Sequence, residues 1–440
     1  MNVALVKNDS GPAASSVFAA AQGRLPGTGK VAEIRRDAFA AFERTGLPHR
    51  RIEEWKYTDL RALVRDVLPL AGAPDAAALA RAKAAVAEAA IEGATKLVLV
   101  DGVVATDLSD LAALPSGVTV RMLRAVLDEQ SNDSRADLLL TKTSDPMLSL
   151  NAALVTDGVV VTVADGTQLS SPLQLIHVAT ASKAARYSRS HVRVGQGARV
   201  TLVESAIAAA GAAAYQANDA AVVWVGDEAQ LSHVRLMRDA SDAVNVSSEL
   251  FTIGAKSRLN LFNMTSGAAV SRLQAFFTMA GEGSELIVNG VNLLRDKQHG
   301  DMTLVVDHAV PGCTSRENFR AVLDDRAHSV FQGRIIVRQD AQQTDGKMMT
   351  RALLLSDEAE ADSKPELEIF ADDVSCGHGA TAGALDDSLL FYLRARGLPE
   401  KQAQALLIQA FVGEAIEAIE DDHLRERVIA SAQDWMEARA

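Results

Sequence analysis

The sequence is poor in cysteine, in aromatic side chains and in positive charge. Its 440 residues include two cysteines, the aromatic fraction is 4%, and the formal net charge is −13. Two cysteines cannot build a disulfide framework. A negative chain does not supply the basic face that binds nucleic acid or an anionic membrane. No uncharged apolar run reaches the ~18 residues that a membrane span needs. We therefore expect neither nucleic acid nor a membrane as a partner.

Several catalytic motifs are also missing from the sequence. The segment Gly27–Lys30 comes nearest to a phosphate-binding loop, but Arg24 stands where the first glycine is needed and Val31 replaces the Mg²⁺-binding hydroxyl. There is no Cys-x-x-Cys pair and no Gly-x-Ser-x-Gly turn. Any ATP hydrolysis linked to this protein is therefore expected in a separate subunit. The first 22 residues do not resemble an export signal, so the expected location is cytoplasmic.

The first 95 residues have a helical pattern after an irregular start. Glycine and proline interrupt residues 1–30, which we expect to be frayed. Apolar residues at helical spacing predict a helix over about Val31–Arg44, which Gly46 ends. The alanine-rich stretch Ala76–Ala90 predicts a second helix. We interpret residues 1–95 as an N-terminal helical domain.

From residue 96 to residue 375 the pattern changes to alternating strands with regularly spaced glycines. Neighbouring glycines in this series lie 27 to 31 residues apart: Gly195, Gly226, Gly254, Gly281 and Gly312. The residue five positions after each of the first four is apolar, whereas Glu317 follows the fifth. A repeat of this length made of strands and turns indicates a solenoid in which each turn stacks on the next. The sequence therefore predicts a mainly β protein with a parallel β-helix core, and a β-sandwich is the alternative.

Residues 376–440 are predicted to form a C-terminal helical domain. Pro399 suits the start of a helix, and an apolar stripe follows at helical spacing, formed by Ile408, Val412, Ile416 and Ile419. One interpretation is that this stripe docks on the end of the β-helix. The other is that it binds a partner protein together with Phe411.

One of the two cysteines lies close to a histidine, as Cys376-Gly377-His378. Thiolate and imidazole are good ligands for iron and zinc, but two side chains do not fill a metal site. Either ligands from elsewhere complete the site, or the pair binds no metal and Cys376 is a small buried apolar residue. Cys313, His299 and His308 are additional candidate ligands. We expect Cys313 on an exposed turn after Gly312, and the two histidines are otherwise interpreted as hydrogen-bonded core residues.

The segment around this pair resembles the SufB/SufD family of iron–sulfur cluster assembly proteins. The resemblance covers about residues 40–420 and is carried by ordered motifs: Asp373–Thr381, Phe391–Gly397, Gln298–Met302, Val330–Ile335, Lys364–Ile369 and Glu53–Leu60. The last of these is similar to the SufD branch. The chain length and the lack of an N-terminal cysteine cluster agree with that branch.

The resemblance implies a right-handed parallel β-helix core flanked by N-terminal and C-terminal α-helical domains. It also implies a non-catalytic subunit of the SufBCD scaffold, which contacts SufB through its β-helix and the ATPase SufC through its C-terminal helices. Iron or an iron–sulfur cluster would then be held transiently at the SufB interface, with no cofactor bound stably by the isolated chain. His378 corresponds to an interface ligand or iron-entry residue, and Cys376 is a weaker candidate.

Two other functions stay open at this point. The first is a SufB-like scaffold that forms homodimers, and a homodimer of the isolated chain is compatible with either branch. The second is a β-helix enzyme acting on polysaccharide, which needs a carboxylate cleft and aromatic platforms for sugars. Four tyrosines and three tryptophans make such platforms scarce.

Overall fold

The computed structural model describes residues 14–130, 133–141 and 143–438. Its N-terminal helices are α1 Ala14–Ala21, α2 Lys30–Thr45, α3 Leu60–Leu63 and α4 Ala76–Ala89. The two helices predicted in this region are confirmed. The prediction of a frayed start is wrong for Ala14–Ala21, because Phe18 stacks on Phe39 of α2 with 4.2 Å between ring centroids. Residues 1–13 lie outside the described residues.

Strands make up most of the rest of the chain. They are β1 Thr95–Val100, β2 Val103–Val104, β3 Val118–Met122, β4 Val159–Val163, β5 Leu173–Ala179, β6 Ala185–Val194, β7 Arg199–Ala208, β8 Gln216–Val225, β9 Gln230–Arg238, β10 Val244–Ile253, β11 Arg258–Thr265, β12 Val270–Met279, β13 Glu285–Leu294, β14 His299–His308, β15 Thr314–Leu323, β16 His328–Val337, β17 Thr344–Leu354, β18 Glu360–Ile369 and β19 Val374–Gly383.

The strands alternate between two sheets that face each other. From β4 onward, even-numbered strands form one sheet and odd-numbered strands form the other, and within each sheet every strand pairs in parallel with the strand two positions along the chain. The result is a parallel β-solenoid of about 8 turns. The predicted mainly β class and parallel β-helix core are confirmed.

The repeating glycines form one corner of the solenoid, where successive turns lie very close together. A Cβ atom on Gly226 would come within 2.9 Å of the carbonyl carbon of Gly195, and one on Gly254 equally close to that of Gly226. Only glycine fits such a contact. Gly312 differs, because it has φ +71° and a Cβ atom there would meet the backbone nitrogen of Gly283 at 3.8 Å, which is an ordinary contact. The fifth glycine therefore occupies another position in the corner, which is why the rule of an apolar residue five positions later fails there.

Alternation along each strand separates an inner from an outer face. On β11, Leu259 and Leu261 belong to the apolar core between the sheets, while Phe262 and Met264 pack in a cluster with the C-terminal helices. The opposite direction of successive side chains is the usual property of a strand.

The structure differs at two places from the predicted division of the chain into a β-helix region and helical domains. The region predicted as β-helix contains the helices α5 Leu123–Asp128 and α6 Pro146–Leu154. Helix α6 forms because Asp145 accepts hydrogen bonds from the amides of Met147 and Leu148, and Pro146 suits the first helical position. At the other end, β19 continues to Gly383, so Cys376 and His378 lie in the solenoid and not in the helical domain that we predicted from residue 376.

The C-terminal helices are α7 Asp387–Ala395, α8 Glu400–Ile416 and α9 Asp422–Ala438. The predicted stripe on α8 is buried inside the chain, in one cluster with outward side chains of the odd-numbered sheet: Ile408, Val412, Ile416 and Ile419 with Val234, Phe262, Val291 and Val322. These four residues therefore do dock on the solenoid, but on the outer face of one sheet and not on the end of the β-helix as the first interpretation had it. They cannot serve as partner anchors while the helix stays docked. Phe411 is half-buried, with the guanidinium of Arg320 5.0 Å from its ring centroid.

Within the described ranges, no helix combines the length and the apolar character required to cross a lipid bilayer.

Candidate functional site

The last turn of the solenoid is open. Strands β18 and β19 are the terminal strands of their sheets, so one edge of each has no neighbouring strand among the described residues. All seven residues of β5 are buried, whereas no residue of β19 is. Unpaired strand edges offer free N–H and C=O groups to another chain.

Cys376 and His378 lie on this last strand and face the same way, because they are two residues apart. Cys376 is half-buried and packs against the apolar core, which identifies this as the inner face. His378 is exposed. The sequence-predicted pair is thus brought to the open end of the solenoid interior, with the imidazole accessible to a second chain.

Strand register places Glu317 in the same column of side chains as His378, two strands away in the same sheet. Cys376 pairs with Gly346 and then Ser315, while His378 pairs with Met348 and then Glu317. A cleft of about 580 Å³ opens here and is lined by Glu317, Met348, Cys376 and His378, among others. Because Gly346 has no side chain, nothing from that position fills the space beneath the thiol.

Glu317 is a functional candidate that our sequence reasoning did not select. It is 2% exposed, and neither carboxylate oxygen has a hydrogen-bond partner among the described residues. Burial raises the pKa of Glu317 to about 8. The side chain therefore holds a proton at neutral pH and can release it when a cation arrives. A signal for it was available, since Glu317 was the exception to the five-residue rule, and in the strand register it occupies the position of the buried Val288 of β13.

The thiol of Cys376 is also held in its protonated form. Burial raises its pKa, and the negative charge of Asp345 acts in the same direction. A metal ion that binds this sulfur must displace a proton, because the thiolate is the ligand.

The other three candidate ligands lie elsewhere, and none of them lines the cleft. Cys313 is 0% exposed, and its Sγ lies 3.4 Å from both Ser284 Oγ and the carbonyl oxygen of Gly281. The prediction of an exposed turn is wrong, because the residue that follows the left-handed Gly312 turns into the core.

The two histidines are hydrogen-bonded inside the chain. His308 Nε2 is 3.1 Å from Ser315 Oγ, and His299 Nε2 is 2.9 Å from Thr58 Oγ1 of the N-terminal region. Burial lowers the pKa of each to about 4, so both rings are neutral. These contacts agree with the interpretation as core residues.

Several large apolar side chains are exposed in the C-terminal part of the chain and were not selected from the sequence: Ile369, Phe370, Leu389, Phe391, Tyr392 and Leu406. Phe391 is the most exposed of them at 74%. Four of the six lie on α7 and α8, which pack against each other. Exposed apolar residues on neighbouring helices indicate a protein-binding surface.

Comparison with known proteins gives two family matches and several relatives. The model of the SufBD core domain of SUF-system FeS cluster assembly matches residues 177–411, and that of the SufBD N-terminal region matches residues 27–175. An iron–sulfur cluster assembly SufBD family protein of Synechocystis is 32% identical over 85% of this chain and 84% of its own length. The iron–sulfur cluster assembly protein SufD of Escherichia coli is 31% identical over 88% of this chain and 89% of its own. The chloroplastic protein ABCI7 of Arabidopsis is 28% identical over 76% of this chain and 72% of its own.

Proposed function

The chain belongs to the SufBD family of iron–sulfur cluster assembly proteins, and from that membership we propose that it is a SufD-like, non-catalytic scaffold subunit. Its open β-helix end binds a SufB-like chain, and iron enters where Cys376 and His378 face that partner. The single observation that carries the proposal is the position of this pair at an unpaired, solvent-accessible end of the solenoid.

The incomplete set of ligands supports a shared site. His378 supplies one imidazole, Cys376 one thiol and Glu317 one carboxyl group, and Fe²⁺ accepts nitrogen, sulfur and oxygen ligands. Cys376 and Glu317 must each lose a proton to bind a cation tightly. His378 is the exposed member and the first that an entering ion meets. The remaining ligands, including most of the thiolates, come from the partner.

The shape of the open end supports a partner that adds strands. An edge strand of a second chain can continue either sheet by main-chain hydrogen bonds, which is an established mode of recognition. A second copy of this chain could use the same edges. A SufB-like partner is favoured because two cysteines per chain give two identical copies few thiolates for a cluster.

The surface for a separate ATPase subunit lies on the exposed face of the C-terminal helices. The stripe that we predicted for this role is covered by the solenoid. Phe391 and Tyr392 on α7 and Leu406 on α8 are exposed instead. Calorimetry of ATPase binding to the Phe391→Ser variant tests this assignment, and undiminished affinity would move the surface elsewhere.

Replacement of His378 tests the iron-entry role. We expect His378→Ala to leave folding and complex formation intact and to lower cluster formation at least tenfold, as the loss of a metal ligand does. The measurement is cluster absorbance after anaerobic reconstitution of the complex with iron and sulfide. The matched control is His423→Ala, which removes an exposed histidine from α9.

Two results would contradict this role. Wild-type cluster levels in the His378→Ala complex would remove His378 from the site. An equal loss in His423→Ala would show that the assay does not report on this position.

A further inference from the structure

A second group of metal-binding side chains is buried deep inside the solenoid, away from the open end. Glu204 on β7, His233 on β9 and Glu249 on β10 each offer one ligand atom, and these atoms lie within 4.8 Å of one another. All three residues are almost completely buried. No other group of this kind is found in the described part of the chain. We call these three residues the inner site.

The charges around the inner site do not balance. Four buried carboxylates lie in this region of the interior, and two buried guanidinium groups pair with them: Glu204, Asp219, Asp239 and Glu249 with Arg186 and Arg235. Each guanidinium group is shared by two carboxylates, so the six groups together carry a net charge of −2 when all four carboxylates are ionised. An uncompensated charge in a protein interior is strongly unfavourable, so the region requires either added protons or a cation.

Several ligand atoms at the inner site also lack a partner. Both ring nitrogens of His233 and Oε2 of Glu249 have no hydrogen-bond partner among the described residues, and the same holds for both ring nitrogens of the neighbouring His177. His233 Nε2 is 3.6 Å from Glu204 Oε2, and His177 Nε2 is 3.5 Å from Glu204 Oε1. These separations are too long for a good hydrogen bond, but they suit atoms that share a metal ion.

Protonation is the competing way to balance these charges. Burial raises the pKa of Glu249, and the charge of Glu204 adds to that effect, although Arg235 opposes it. Burial lowers the pKa of His233, so its ring is neutral and free to coordinate. Arg235 lies between the two carboxylates, with its Nε 3.1 Å from Glu204 Oε2 and 3.2 Å from Glu249 Oε1. A proton on Glu249 removes one of the two unbalanced charges, whereas a divalent cation removes both.

We propose that the inner site binds a divalent first-row transition-metal ion through Glu204, His233 and Glu249, with His177 as a neighbouring imidazole. Mixed nitrogen and oxygen ligands suit Fe²⁺, Mn²⁺, Co²⁺ and Zn²⁺. Because the site is enclosed, the ion enters as the chain folds and its binding stabilises the folded state. This inference does not depend on the role of the open end.

Cobalt is the probe for the test, because Co²⁺ bound by histidine and carboxylate gives visible and magnetic-resonance signals. The full-length chain is produced in cobalt-supplemented medium, desalted, and measured for metal content, visible absorption and thermal unfolding. Every protein carries Cys376→Ser and His378→Ala, so the open end contributes no signal. We expect about one Co²⁺ per chain in this parent protein. We also expect at least a tenfold loss of bound metal in the His233→Asn and Glu249→Gln variants.

The control is His191→Asn, which replaces another buried histidine whose Nε2 is hydrogen-bonded to the carbonyl oxygen of Leu138 outside this group. It should keep the metal. Circular dichroism checks whether each variant is folded. Glu249→Gln retains the shape of the side chain without its charge, so it still tests metal binding if His233→Asn does not fold. A metal-free parent protein would overturn the proposal. So would full retention of cobalt in Glu249→Gln, or an equal loss in His191→Asn.

Discussion

The two ends of the solenoid are built differently, although the same strand repeat forms both. At the N-terminal end, the parallel ladders finish in antiparallel pairs, β1 with β2 and β3 with β4, and helices pack against the outside. At the C-terminal end, β18 and β19 have no such cover. A solenoid needs a cap at each end to remain soluble as a single chain. The chain closes one end by itself, so the other end is the place where a second protein is expected.

The open end is protected against unspecific pairing. Strand β18 carries Lys364, Pro365, Glu366 and Glu368, and the ammonium group of Lys364 forms ion pairs with Glu53 and Glu366. Charged side chains and a proline, which has no N–H to donate, are features that discourage edge-to-edge aggregation. A partner must therefore match a particular charge pattern as well as the strand edge.

The largest difference should appear in stability, between the N-terminal region, where it packs on the side of the solenoid, and the exposed C-terminal helices. Trp55 is fully buried, its Nε1 donates to Asp145, and the guanidinium of Arg272 lies 3.9 Å from its ring centroid. We expect Trp55→Ala to lower the free energy of unfolding by about 3–5 kcal/mol. The exposed Phe391→Ala should change it by no more than about 0.5 kcal/mol. Urea denaturation of both variants measures the loss of unfolding free energy. Equal losses in the two variants would contradict this difference in stability.

A smaller effect concerns the pH dependence of stability near the open end. Because the pKa of Glu317 in the folded chain is about 8, above its ordinary value of 4.5, ionisation destabilises the fold. This contribution is absent below the unfolded pKa and grows as the pH rises toward 8. We expect the wild type to lose a few kcal/mol of stability over that interval and Glu317→Gln to lose much less. Denaturation at several pH values measures this. If the unfolding free energy of the two proteins changed with pH in the same way, Glu317 would not be the group responsible for the loss of stability.

The smallest expected effect is on association alone. A Cβ atom on Gly377 would meet nothing within 4 Å, so there is room for a side chain on the free face of β19. We expect Gly377→Trp to leave the unfolding free energy nearly unchanged. The affinity for the SufB-like partner should fall at least tenfold, which corresponds to a loss of about 1.4 kcal/mol in binding free energy. Calorimetric titration with the partner decides this. Gly72→Trp is a control, because a Cβ atom there also meets nothing within 4 Å and the preceding residue, Ala71, hydrogen-bonds to Ala185 on β6 and not to β19. A similar loss of binding in both variants would contradict an interface on β19.

Much of the fold could be predicted from the sequence, because a solenoid repeats the same local contacts. The glycine spacing predicted the corner that contains Gly195, Gly226 and Gly254, since each turn must approach the next at that position. The Cys376–His378 pair was predicted from two residue types and their separation. These features depend on neighbours in sequence or on one periodic contact.

The remaining features depend on three-dimensional contacts that no local pattern encodes. Burial of Ile408 requires the outer face of the odd-numbered sheet, and the inward turn of Cys313 depends on the backbone of Gly312. The inner site joins His233 from one sheet with Glu249 from the other. Glu317 was visible only as an exception to the repeat, and its lack of a hydrogen-bond partner required the full set of contacts.

The glycine corner also determines where the chain can accommodate extra residues. There, successive turns touch through their backbones, and residues 195–198, 226–229 and 254–257 connect the sheets with the same loop length. At the opposite corner the connections differ in length, as in residues 209–215 and 239–243, and a Cβ atom on Gly211 would meet nothing within 4 Å. A fluorescent reporter or an affinity tag is therefore best inserted at residues 210–213, where the connecting loop can be lengthened without separating successive turns of the solenoid.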